Sequence, residues 1–242
     1  MTIKISPLDS IKHKNTRIKV DPLYGHVSDQ QMIPVLAFEF LKASTSFPIV
    51  FVKQQDTGTF KSVALTGFEE AENLVFTQGE INADYIPVNV RRHPFSAGGK
   101  DINDKDMILC IDENSSLVNE SEGVELFDAD GKPTETTTKI SEFLVDIVAR
   151  DHATDNFINC LIENELMQPT ELKLKLGDGN ERIINGIYKI DEEALNELSD
   201  EVALSLYKRQ YFSAIYAHLA SLSQFNRLIK LKEAQDAEKL VD

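Results

Sequence analysis

The sequence predicts an α+β fold: an antiparallel, β-rich N-terminal half and a helical C-terminal half that contains a late β-hairpin. Three observations predict it. Short apolar or alternating runs crowd the chain up to about residue 130. From about Thr138 onward, apolar residues recur at helical spacing. Between two such stretches, "ELKLKL", "GDGN" and "ERIINGIYKI" read as a hairpin about a tight turn. The chain reads as one domain over residues 1–242, β-rich over 22–130 and helix-rich over 131–232.

Residues Met1 to Asp21 read as an irregular, basic lead-in. "QMIPVLAFEFLKAS" mixes helix and strand signals, and Pro34 argues against a long helix there. "FPIVFVKQ" and "KSVALTGF" flank "DTGT" and predict a hairpin. "NLVFT", "YIPVNV" and "DMILCID" are further strand candidates, with Pro87 placing its strand at an edge or a bulge. Loops fall at "FSAGGKDINDKD" and "ENSSLVNESEG", and "DADGKP" marks a strong turn.

Beyond that turn, Ile140, Phe143, Leu144, Ile147 and Val148 share a helical face, and Ile158, Leu161 and Ile162 continue its phase. One helix, or one broken near "DHATDN", is expected over about Thr138–Leu166, ended by Pro169. Asp191 and Ser199 are N-cap residues for the next helices. Leu204, Tyr207, Tyr211, Ile215, His218, Leu222, Phe225 and Ile229 keep a helical period towards the end. The charged tail "EAQDAEKLVD" is expected to fray.

Composition narrows the function classes. Apolar residues make up 42% of the 242, enough for a sizeable core. A formal charge of −15 argues against nucleic acid or an anionic membrane as a general partner. Cys110 and Cys160 form no CxxC pair, which favours reduced thiols and a cytoplasmic setting. The polar N-terminal segment carries no apolar core of a secretory signal, and no run approaches the roughly 18–20 apolar residues of a membrane span. A leaderless exported protein would look the same.

Chemical motifs are sparse. "DADGKPTETTTK" lacks the later ligands of a calcium loop and reads as a solvated turn. No phosphate-binding glycine pattern occurs, and the five histidines show no metal-ligand spacing, so no cofactor and no metal are expected. His13 reads as a surface residue, His218 as a core histidine and Cys110 as a small buried hydrophobe. Glu39 stands out in "VLAFEFL". Either its strand alternates and Glu39 faces water, or it is buried beside a cation, with Arg91 or Arg92 of "YIPVNVRRHPF" as the candidates. Such a pair could be structural, or could line a cleft with Tyr85 and Asn73 that takes an anionic or polar group.

Several blocks resemble the SapC-like family of bacterial proteins in one order. They are "IKHKNTRIKV", "MIPVLAFEFLKASTSFPIVFV", "ENLVF", "YIPVNVRRHPF", "LCIDE", "GVELFDADGKPTE", "NGIYKIDEEALNEL" and "YAHLASLSQFNRL". The family often carries Trp where this chain has Thr16 and Ile81, and Tyr where it has His93. The resemblance implies an association with bacterial surface-layer gene sets. It also implies an accessory role beside halogenase-like, cupin-like and TonB-dependent receptor genes. It carries over no catalytic residue. The expectation is an accessory or binding protein acting with a protein, peptide or small-molecule partner of an uptake or modification system. A surface-layer component remains open, as does an enzyme with Glu39, Arg91 or His13 as acid, base or anion clamp.

Overall fold

The run "FPIVFV" is apolar at every position because its strand is covered on both faces. Ile49 and Phe51 point to one side, where Phe51 meets Phe40 and His218. Val50 and Val52 point to the other, where they pack with Val63, Ile187 and Phe225. The computed structural model describes residues 3–21, 23–98, 107–175 and 181–239.

In chain order the strands are β1 (Ile5–Pro7), β2 (Arg17–Ile18), β3 (Met32–Pro34), β4 (Ile49–Lys53), β5 (Phe60–Leu65), β6 (Phe76–Thr77), β7 (Glu80–Ile81), β8 (Phe95–Gly98), β9 (Ile108–Asp112), β10 (Val118–Asn119), β11 (Val124–Glu125), β12 (Met167–Lys175) and β13 (Glu181–Ile190). The helices are α1 (Phe40–Ala43), α2 (Val88–Arg91), α3 (Glu135–Glu163), α4 (Glu192–Asn196), α5 (Asp200–Lys208), α6 (Tyr211–Ser221) and α7 (Phe225–Lys239). The β-rich first half, the helical second half and the late hairpin β12–β13 are as the sequence predicts. The turn "GDGN" of that hairpin lies outside the described residues.

Two compact units form, each from two stretches of chain. The first comprises Met1–Leu23 and Val90–His152, the second Tyr24–Asn89 and Ala153–Asp242. The first unit holds the antiparallel sheet β1-β9-β8 and the small sheet β10-β2-β11. Ile111, Leu126 and Leu144 are buried in it. The second unit holds the five-stranded sheet β12-β13-β4-β5-β3, with every pairing antiparallel. Phe40, Phe51 and Phe157 are enclosed there, and α6 packs on α1, β4 and β13.

Five local expectations need correction. "FSAG", read as the start of a loop, is strand β8, and residues 99–106 of that stretch lie outside the described residues. The lead-in is ordered: β1 pairs with β9, and β2 with β10 and β11. "YIPVNV" is not a strand. Pro87 precedes the one-turn helix α2, where its missing N–H costs no helical bond. The long helix runs over Glu135–Glu163 and is not ended by Pro169. Glu165 takes a left-handed conformation, and its amide and that of Leu166 bond back to Ile162 and Leu161. That is a Schellman-type stop. Pro169 instead sits in β12, an edge strand, opposite Tyr188. Finally, the C-terminal helical period is divided into α5, α6 and α7. Asp191 and Ser199 do cap α4 and α5 through their side-chain oxygens.

Candidate functional site

Glu39 is inward-facing because "VLAFEFL" winds as a helical turn rather than a strand. A 3-10 turn over Ala37–Glu39 leads into α1. Leu36, Glu39, Phe40 and Ala43 are buried, while Phe38 and Leu41 are exposed, which is the spacing of one helical face. The Glu39 side chain is therefore fully enclosed. Its carboxylate accepts from the Tyr85 hydroxyl at 2.8 Å, the Val88 amide at 2.8 Å and the Leu36 amide at 3.0 Å. These three donors hold together the turn before α1, Tyr85 and the first residue of α2. Of the two sequence readings, burial is observed and a water-facing Glu39 is not; the donors on its carboxylate are the Tyr85 phenol, itself a sequence candidate, and two amides.

Of the other candidates in the same unit, Asn73 is a separate brace. Its amide donates to the Val27 carbonyl at 2.7 Å, and its oxygen accepts from the Val75 and Phe76 amides. Tyr85 and Glu39 are brought together, and Asn73 engages different segments. Two more buried polar groups tie this unit. Ser221 accepts from the Ile49 amide and donates to the His218 carbonyl. Lys232, almost without exposure, meets Glu72 at 2.6 Å, Glu69 at 3.4 Å and Asp236 at 3.5 Å.

His13, Arg91 and Arg92 belong to the first unit. His13 is buried, with 4% exposure, and not the surface residue its polar neighbours suggested. The Asp9 side chain caps the Ile11 and Lys12 amides and closes a tight turn. That turn brings the Asp9 amide to His13 Nδ1 at 3.0 Å. Nδ1 is then the acceptor, so the proton of the neutral ring sits on Nε2, 3.3 Å from the Glu113 carboxylate. Glu113 also receives Lys12, Lys4 and Ser6. The Lys12 and Lys4 ammonium groups and the Ser6 hydroxyl hold its carboxyl well below the usual carboxylate range. Arg91 lies 5.9 Å from the Phe143 ring, a cation–π contact. Arg92 donates to the Phe95 carbonyl, and burial lowers the pKa of its guanidinium.

The residue pattern of the SapC family matches residues 8–228, nearly the whole chain. The chain belongs to the SapC family. No curated protein matches it, and no solved structure does. The sequence blocks that carry the resemblance now have structural meaning in this SapC chain. The apolar–Glu–Phe block supplies the Glu39 brace, and "YAHLASLSQFNRL" supplies buried His218 and Ser221.

Sequence reasoning missed the role of the segment after β9. There Asp112 accepts from the Lys4 and Asn114 amides, Glu113 gathers its cluster, and Ser115 meets His93 Nε2 at 2.9 Å. The signal was present as "CIDENSS", a polar run at the end of an apolar strand and opposite a basic lead-in. Burial lowers the His93 pKa, against the opposing pull of Asp112. Cys110 and Cys160 are buried free thiols, and burial pushes the Cys110 pKa up. Among the described residues no group of three His, Cys, Asp or Glu side chains is placed to hold a metal ion, and no helix is long and apolar enough to cross a membrane.

Proposed function

We propose that the protein is an accessory or binding module, without catalysis of its own, engaging a protein, peptide or small-molecule partner. The uptake or modification system in which it would act is the one the family resemblance implies. One observation carries this reading: the carboxylates of the candidate clusters, Glu39 and Glu113, are consumed internally. Glu39 has three protein donors, and Glu113 has four. A general acid or base must keep a proton or a lone pair for the substrate. These carboxylates spend theirs on fixing segments of the chain to one another. The test is affinity isolation from the native cells under mild crosslinking. A partner in fixed stoichiometry is expected; a chain that always isolates alone contradicts the reading.

A second reading rests on the contact between Ser115 and His93. The Leu117 amide donates to Ser115 Oγ at 3.2 Å, which leaves the hydroxyl proton free to point at His93 Nε2. Burial favours the neutral imidazole, the form that can take that proton. Treatment with a fluorophosphonate tests it. An active serine forms the phosphorus–oxygen bond, passes its proton to His93 and expels fluoride. Modification of Ser115 that disappears in His93→Phe supports an esterase-like activity. An unmodified Ser115 excludes it.

A further inference from the structure

Forty acidic residues are spread through this chain, yet residues 202–232 contain none. The same stretch holds Lys208, Arg209, Arg227, Lys230 and Lys232. In a chain of formal charge −15, that is a local reversal of sign. Three of the five cations have structural tasks. Lys232 meets the Glu69, Glu72 and Asp236 carboxylates, Arg227 donates to the Ser46 and Asn82 carbonyls, and Arg209 lies 5.9 Å from the Tyr211 ring. Lys208 and Arg209 are both exposed, at the junction of α5 and α6.

The same junction exposes aromatic surface. Tyr207 is 71% and Tyr216 58% exposed, and Leu204 is exposed one turn before Tyr207. The Tyr216 ring stacks on Phe212 with centroids 5.9 Å apart. Tyr207, Lys208, Gln210, Phe212 and Ser213 line an open hollow of about 380 Å³. Gln210, a non-glycine residue with φ of 61°, makes the turn that sets the two helices around it. Its amide bonds back to the Tyr207 carbonyl, so it stops α5 as the left-handed Glu165 stops α3.

We propose that this α5–α6 corner docks an acidic segment of a partner protein carrying an aromatic or aliphatic anchor. The anchor enters the hollow between Tyr207 and Phe212, and carboxylates on either side of it meet Lys208 and Arg209. Rigid aromatics beside cations are the composition of energetic centres in protein interfaces. The exposed Lys208 and Arg209 at the corner select the sign of the partner. The proposal deepens the binding-module reading and rests on it.

The probe is a short fluorescein-labelled glutamate-rich peptide with two phenylalanines one helical turn apart, beside its lysine-rich counterpart. Anisotropy should show binding of the acidic peptide and none of the basic one. Affinity should fall as ionic strength rises from ~0.01 to ~0.15 M, where the screening length drops from about 30 to about 8 Å. Tyr207→Ser with Tyr216→Ser, both at exposed positions, should leave the melting temperature unchanged and weaken binding on the order of tenfold or more. Equal affinity for the two peptides, or unchanged affinity in the double variant, overturns the proposal. A dimer seen by sedimentation and lost in the double variant assigns the corner to a second copy and also overturns it. If the double variant still holds its native partner, the binding-module reading stands and this surface is wrong. If neither partner nor peptide binds, both fall.

Discussion

Replacing Tyr85 by Phe removes a hydroxyl donor from a carboxylate that has no access to solvent. The lost bond, 2.8 Å to Glu39, is a hydrogen bond to a charged acceptor. Such bonds contribute about 1.5–3 kcal/mol, so Tyr85→Phe should lower stability by about that much. Glu39→Gln should cost more. Its remaining oxygen can serve Tyr85 and Val88, but its amide nitrogen then faces the Leu36 N–H. Leaving that buried donor without an acceptor costs about 1–3 kcal/mol. Turning two charge-assisted bonds into neutral ones costs about 1 kcal/mol each, for a total of about 3–5 kcal/mol. In the Glu39→Gln background the Tyr85→Phe step should shrink to about 0.5–1.5 kcal/mol, because the acceptor is no longer charged. Urea unfolding with unchanged m-values is the assay. A Tyr85→Phe protein within ~0.5 kcal/mol of the parent would refute the claim that the Glu39 carboxylate is a brace.

Burial holds the His218 imidazole at a pKa of about 3, with Ile49 opposing the shift and Lys189 adding to it. Between the ordinary value of about 6.5 and that lower value, the unfolded chain binds a proton that the folded chain refuses. The contribution is therefore complete above pH ~6.5 and declines as pH falls towards 3, by about 1.4 kcal/mol per pH unit. Unfolding free energies between pH ~6.5 and ~5, where carboxylates change little, should fall more steeply in the parent than in His218→Gln, whose remaining slope includes that of His93, another histidine with a pKa lowered by burial; an identical slope in both would discount His218. Lys232→Met should cost about 3–5 kcal/mol by stranding Glu72, and Glu72→Gln added to it should recover part of the loss. A surface-pair cost of about 0–1 kcal/mol would show that the cluster is not sealed. Cys110 and Cys160 should resist a thiol reagent in the native protein and both react in denaturant. Rapid native reaction, or no reaction after unfolding, contradicts their burial as free thiols.

The elements most legible in the sequence were those with one dominant local cause. The β4–β5 and β12–β13 hairpins follow from apolar strands around turn residues, and α4 and α5 start at Asp191 and Ser199 as their oxygens dictate. Misreadings arose where a distant partner decided the outcome. Val88–Arg91 has β-branched residues suited to a strand, but Pro87 and the Glu39 carboxylate together start a helical turn there. His13 looked exposed among lysines because Glu113, its partner, lies 100 residues away. Pro169 looked like a helix stop, whereas the stop is the left-handed Glu165, a residue with no glycine to announce it. Of the candidate site residues, Glu39 was singled out for the right reason, the expense of a carboxylate in an apolar run. Of its donors, Tyr85 was among the sequence candidates, whereas the Leu36 and Val88 amides were not legible, since amide groups carry no sequence signal.

The polar clusters brace the fold, and the proposed docking corner is the aromatic and basic surface of α5–α6. A photo-crosslinking phenylalanine analogue placed at Tyr216, and at exposed Val124 of the other unit as a control, tests it in the native cells. One acidic partner should crosslink from position 216, be displaced by the glutamate-rich peptide and be missing from position 124. Equal crosslinking from both positions, or a product from 216 that the peptide leaves untouched, would contradict it.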